Sequence, residues 1–197
     1  DADLLHMQVI GYLIGSLIDK FDLLKTSKTL SRIDDATGAL QYKAFVPALT
    51  TELQRARTHA YQVTLALIAV NAFRKYVEAH GIDAAHALLS EVVDVINGHS
   101  RDMDILARFG ADEFILCLSG LTEDEARTKL ESIRKDVSEK VLGQGDMPID
   151  ASVGALTLYD DKDQNRALQE ILGELGKNLV KAKKNGSDSV VIKGFDS

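Results

Sequence analysis

The sequence predicts a mixed α/β (α+β) fold in which a central, mostly antiparallel sheet is flanked by helices. Three observations lead to it. Short apolar, β-branched runs alternate with longer stretches of helical period along most of the 197 residues. The heptapeptide Arg108-Phe109-Gly110-Ala111-Asp112-Glu113-Phe114 sets two small residues between the apolar runs Ile105-Leu106-Ala107 and Phe114-Ile115-Leu116-Cys117-Leu118. This reads as a β-hairpin whose two-residue turn uses the positive φ that Gly supplies. Finally, the middle of the chain contains the order β-α-β-β-α-β, which is the split βαβ plan.

Taken in order, Met7, Ile10, Ile14, Leu17, Phe21 and Leu24 recur at steps of three and four. That spacing predicts an amphipathic connector helix within residues 1–33. The polar run ending in Asp34-Asp35-Ala36-Thr37-Gly38 is a turn, and the globular domain is expected over 34–197. Tyr42–Arg57 reads as a helix and Tyr61–Val70 as a buried strand. Phe73–His80 and Ala84–Ile96 read as helices separated at Gly81. Met103–Phe109 and Glu113–Leu118 form the hairpin. Thr122–Val141 is a helix opened by a capping box, with Thr122 as cap and Glu125 three residues on. Ile149–Leu158 is a strand, Asn165–Lys184 a helix stopped by Asn185-Gly186, and Ser189–Ile192 a last short strand. The topology is ferredoxin-like.

The charge balance narrows the partners. With 23 Lys and Arg against 30 Asp and Glu, the net charge is −7. No general attraction to a nucleic-acid polymer or anionic lipid follows from that balance, so a phosphate-bearing ligand must be held by a local cluster. One cysteine, Cys117, rules out an internal disulfide and fits a reducing, cytoplasmic compartment, and its apolar strand makes it a core residue rather than a nucleophile. The longest continuous apolar run is far shorter than a membrane span. Because the first residue is Asp, a piece of a longer parent with membrane or sensor segments of its own is expected.

The ordered set of motifs resembles the GGDEF domain, the diguanylate cyclase family, here with a GADEF motif. The matching residues are Asp34-x-Ala36-Thr37-Gly38, Phe73-Arg74, Arg101-x-x-Asp104, the Arg108–Phe114 heptapeptide, Ser152-Val153-Gly154 and Ala182-Lys183-x-x-Gly186. The resemblance covers roughly residues 34–192 and implies the cyclase-palm version of the fold. In that family two GTP molecules, one on each half of a dimer, are joined into cyclic di-GMP with Mg²⁺ on the triphosphate.

The resemblance implies catalytic and metal roles for Asp112, with Glu113 beside it, and a phosphate contact for Lys183. It also implies a first-strand metal acid, but Ala69 stands there, with the amide Asn71 two residues on. The guanine-reading positions hold Val77 and His86, and a phosphate-facing arginine position holds Ser187. Arg101 and Asp104 fall where the family's inhibitory site binds cyclic di-GMP. Arg offers a fork to guanine O6/N7 or phosphate, and Asp accepts from the N1/N2 edge. The arginine that often completes this site falls on Ser132.

Three functions are therefore expected in order. The first is a degenerate, inactive GGDEF module that needs no cofactor and binds cyclic di-GMP through Arg101 and Asp104. A second is an active cyclase using Asp112, Glu113, Lys183 and Mg²⁺. The third is a dimerising or GTP-sensing spacer for an adjacent sensor or EAL phosphodiesterase domain. A homodimer is expected from the family.

Overall fold

The computed structural model describes residues 31–141, 143–144, 147–186 and 189–195, and the compact unit to which nearly all of them belong is Ile33–Ser197. The expected connector helix lies outside the described residues, as does Ser187. Eleven elements follow in order: β1 (Leu40–Gln41), α1 (Tyr42–His59), β2 (Val63–Val70), α2 (Phe73–His99), β3 (Ile105–Arg108), β4 (Glu113–Ser119), α3 (Glu123–Lys140), β5 (Ala151–Leu158), α4 (Asp161–Gln164), α5 (Leu168–Lys184) and β6 (Val190–Lys193). The six strands lie in the order β1-β3-β4-β2-β5-β6. The three central pairings, β3–β4, β4–β2 and β2–β5, are antiparallel. The two edge pairings, β1–β3 and β5–β6, are parallel.

All eight residues of β2 are buried, because it is covered by helices on both faces. Alternation along the strand sends Ala66, Ile68 and Val70 into a core with Tyr76, Leu88 and Val92 of α2 and Leu130 and Ile133 of α3. Leu65, Leu67 and Ala69 point the other way, into a core with Phe45 and Leu49 of α1 and Leu175 and Leu179 of α5. A continuous apolar run is what a strand buried on both faces requires.

Gly154 fixes how closely α5 lies on the sheet. A Cβ there would sit 2.1 Å from the Leu179 backbone nitrogen and 2.4 Å from its Cα. Beside this contact the buried Asn178 donates its side-chain amide to the Ala155 carbonyl at 2.8 Å. The Ser152-Val153-Gly154 motif is thus first a packing motif.

Local signals were obeyed at Gly81, whose φ of 82° and ψ of 172° interrupt α2, and at the reciprocal cap of α3. There Thr122 Oγ1 accepts from the Glu125 N–H while the Thr122 N–H donates to Glu125 Oε2 at 2.8 Å. The hairpin turn departs from expectation. Neither Gly110 nor Ala111 has a positive φ. The turn is instead longer, with the Phe109 and Gly110 N–H groups both donating to the Glu113 carbonyl at 2.8 and 3.0 Å. Spreading the reversal over Phe109–Asp112 removes the need for a left-handed residue, so alanine at position 111 carries no strain. Residues 161–164 also differ: Asp160 caps a separate single turn there through the Asp163 N–H, and α5 begins at Leu168.

Gly154→Ala is expected to destabilise the fold by about 3 kcal/mol, because backbone rather than a yielding side chain opposes the added carbon. Thr122→Ala should cost only about 1 kcal/mol through loss of the cap. Urea unfolding of the two variants against wild type measures both.

Candidate functional site

Two clusters carry the chemistry. The first lies where β2 ends between its neighbours. The Val70 N–H donates to the Asp112 carbonyl at 3.0 Å, and the Asn71 N–H donates to the Asp150 carbonyl at 2.9 Å. The end of β2 is therefore flanked by the acidic residue that immediately precedes each adjoining strand.

Ala69 pairs in register with Glu113 on one side and Ser152 on the other, and it is completely buried. A methyl group occupies the position at which a metal-binding acid is expected. The Asn71 amide nitrogen donates to Asp150 Oδ1 and Ser152 Oγ, on the β5 side. Glu113 meets Lys183 Nζ at 3.4 Å, a long, half-exposed pair between two retained motif residues. Among the described residues no three His, Cys, Asp or Glu side chains are grouped so as to hold a metal ion. Mg²⁺ takes an octahedral shell of oxygens, commonly one or two carboxylates completed by water and substrate phosphates; of the two acids the family resemblance implies, Asp112 is present and Ala69 offers no oxygen.

The two positions at which guanine contacts are expected both lie on α2. Val77 packs against the α2–α3 core. His86 is half-buried farther along α2, and His80 lies with its ring 4.7 Å from that of Tyr76. Cys117 is buried in β4, and burial pushes its thiol up to about 12, which removes it as a nucleophile at neutral pH.

Arg108 links two of the sequence motifs. Its Nη2 and Nε donate to the carbonyls of Ala111 and Gly110 at 2.8 and 3.2 Å, which clamps the hairpin turn. Its Nη1 donates to Asp34 Oδ1 at 2.9 Å, and Asp34 also accepts from the Thr37 hydroxyl at 2.8 Å. Burial pulls the Asp34 carboxyl upward, but the hydrogen bonds from Arg108 and Thr37 outweigh it and hold the group below its ordinary range. Phe109 adds an edge-on contact to Tyr42, centroids 5.1 Å apart. The hairpin tip is therefore tied to both the opening turn and α1.

The second cluster is built around Asp104, just before β3, whose carboxylate is wholly buried. Arg101 reaches it with Nη2 on Oδ1 at 3.0 Å, Nε on Oδ2 at 3.3 Å, and its backbone N–H on Oδ2 at 2.9 Å. Arg101 Nη2 also donates to the Ser119 carbonyl at 2.6 Å. From α3, Lys129 Nζ meets Asp104 Oδ2 at 3.0 Å. Burial raises the cost of this charge, yet the hydrogen bonds from Arg101 and Lys129 prevail and keep the Asp104 carboxyl below its ordinary value of 3.8. Arg101 and Asp104 line an open cleft of about 370 Å³ with Asn97, Ser100 and Asp102.

Lys129 was missed from the sequence. The only available signal was its place one helical turn before Ser132, and nothing in a helical pattern says that it faces Asp104.

Comparison with known proteins identifies the family and the fold. The family model described as "Diguanylate cyclase, GGDEF domain" matches residues 31–189. Among relatives, the cyclic di-GMP phosphodiesterase NbdA of Pseudomonas aeruginosa is 26% identical over 179 residues, spanning 89% of this chain and 22% of that protein. Diguanylate cyclase A of Treponema denticola is 27% identical over 132 residues, 66% of this chain and 35% of that protein. The chain therefore spans well under half the length of these relatives. Among solved structures, the GGDEF domain of DgcB from Caulobacter crescentus, in complex with c-di-GMP, superposes with a TM-score of 0.75 at 20% identity, covering 82% of this chain and 95% of that one. The FimX GGDEF domain from Pseudomonas aeruginosa gives 0.73 at 23% identity, covering 83% and 100%. No described helix is long and apolar enough to cross a membrane.

The Asp104 ion cluster has a testable pH signature. A carboxylate held below its ordinary value contributes stability that is whole above about pH 4 and is lost as the pH falls through the lowered value. Asp104→Asn should cost about 2 kcal/mol near neutral pH, because it leaves Arg101 and Lys129 without their counter-charge. The difference from wild type should shrink as the pH is lowered below about 4. Urea unfolding across a pH series reads this out.

Proposed function

This chain belongs to the GGDEF domain family, and from that premise we propose that it is a degenerate member that binds cyclic di-GMP without making it. Arg101 and Asp104 are the contacts in this reading. The observation that carries it is the contrast between the two clusters. At the first, a buried Ala69 methyl stands in for a metal acid, and Val77 lies against the core. At the second, a part-exposed arginine fork is paired with a buried carboxylate in the wall of an open cleft.

The energetics favour the same reading. Phosphoryl transfer to a 3′-hydroxyl depends on metal to neutralise developing charge, and with Ala69 at the strand position Asp112 lacks the second metal acid that the family resemblance implies. A guanine edge left facing Val77 would lose about 1–3 kcal/mol per unpaired polar group. At Arg101–Asp104 both halves of a guanine contact are present, a donor fork for O6/N7 and an acceptor for N1/N2. The relatives support the ligand class: NbdA is a cyclic di-GMP phosphodiesterase, and the DgcB structure is a complex with c-di-GMP.

In the parent protein this module would act as a regulatory domain. Residues 1–33 would connect it to a neighbour such as a sensor or a phosphodiesterase domain, and pairing with a second copy would complete the signalling unit. The small share of each relative's length that the chain spans supports a multidomain parent.

Calorimetry with cyclic di-GMP should show saturable binding by wild type that Arg101→Ala weakens at least about tenfold, as expected for a charged hydrogen-bond partner. Incubation with GTP and Mg²⁺ should give no cyclic di-GMP by chromatography. A product peak that disappears in Asp112→Ala would instead make the chain a working cyclase, and absence of binding by wild type would leave it a spacer.

A further inference from the structure

We propose that Lys129 is a third ligand contact of the Arg101–Asp104 site, donating from Nζ to a phosphate oxygen of the bound guanine nucleotide. The proposal rests on the reading of Arg101 and Asp104 as the nucleotide contacts, and it adds a residue that the motif pattern does not name.

Cations on α3 ordinarily pair with acids on their own helix, three or four residues away. Arg127 pairs with Glu123, Arg134 with Glu131, Lys135 with Glu139 and Lys140 with Asp136. Lys129 also has an acid four residues back, Glu125, but that carboxylate closes the helix cap on Thr122. Lys129 instead crosses to Asp104 of the segment before β3, at 3.0 Å, with its side chain only 16% exposed. Ser132, one turn farther on, cannot share the role, since its hydroxyl donates back to the Thr128 carbonyl at 2.9 Å.

Charge gives this geometry its meaning. Asp104 is one carboxylate between two cations, Arg101 and Lys129, while Asp102 lines the cleft and Asp124 and Glu125 line the recess beside them. Lys129 also lines this recess of about 440 Å³ with His99, Asp124, Glu125, Thr128 and Ser132.

The two cations differ in how they can respond. Arg101 is held by two side-chain nitrogens, its own N–H and the Ser119 carbonyl. Lys129 is held at Asp104 by a single contact. When a guanine N1/N2 edge donates to Asp104, the ammonium is the group displaced, and as a mobile point charge it turns to the phosphate.

Calorimetry with cyclic di-GMP on wild type, Lys129→Met, Lys129→Gln and Lys129→Arg tests this, with thermal melts to establish that each variant is folded. The neutral variants should bind about tenfold or more weakly and show a shallower dependence of affinity on salt, whereas Lys129→Arg should restore both. If wild type binds and the neutral variants bind equally well or more tightly, Lys129 is only a brace on Asp104 and the proposal is overturned. If wild type itself does not bind, the reading of Arg101 and Asp104 fails and takes this one with it.

Discussion

Complete burial of β2 is the constraint on which the rest of the structure depends. A strand covered on both faces must be apolar on both, and every residue from Val63 to Val70 is buried. Its two neighbours, β4 and β5, are then set in register along its whole length. Functional groups can enter only where the strand ends, and there Asp112 and Asp150 arrive from opposite sides. Replacing an acid by Ala69 is comfortable in this setting. It lets the core with α1 and α5 run to the end of the strand and avoids a buried, unpaired charge.

The polar groups around that core are largely engaged by one another. Arg108 holds the turn and Asp34, Asn71 holds Asp150 and Ser152, and Arg101 and Lys129 hold Asp104. Such pairing satisfies buried groups, but it also means that a ligand must compete with an internal partner. For the Asp104 cluster that competition is mild in form. The ion pairs lie beside an open cleft, and Arg101 remains 38% exposed. In the proposed complex a nucleotide would exchange one set of charged hydrogen bonds for another of similar strength.

Several motif residues prove to serve folding before function. Gly154 permits the backbone approach of Leu179, and the Asp34-x-Ala36-Thr37-Gly38 turn receives Arg108 from the hairpin. Gly110 and Ala111, by contrast, need no unusual backbone at all. The hairpin was legible because apolar runs flank small residues. Its turn type was not, since the number of residues sharing a reversal depends on which carbonyl accepts, and here Glu113 accepts twice.

By itself the sequence determined the class of fold, the order of the main elements, the cap at Thr122, the break at Gly81 and the family, but not the two-residue β1 or the single turn of α4. These follow from local period, local hydrogen bonding and residues close in the chain. It also placed Ala69 and Val77 where polar ligands are expected, because identity at a position is read directly. Only the tertiary structure decided what those residues meet: that Asn71 turns to β5, that Arg108 joins Asp34 across 74 residues, and that Lys129 passes over Glu125 to reach Asp104. Contacts of this kind depend on which helix face a core presents to which strand. That is settled by packing of the whole sheet, and no local pattern carries it.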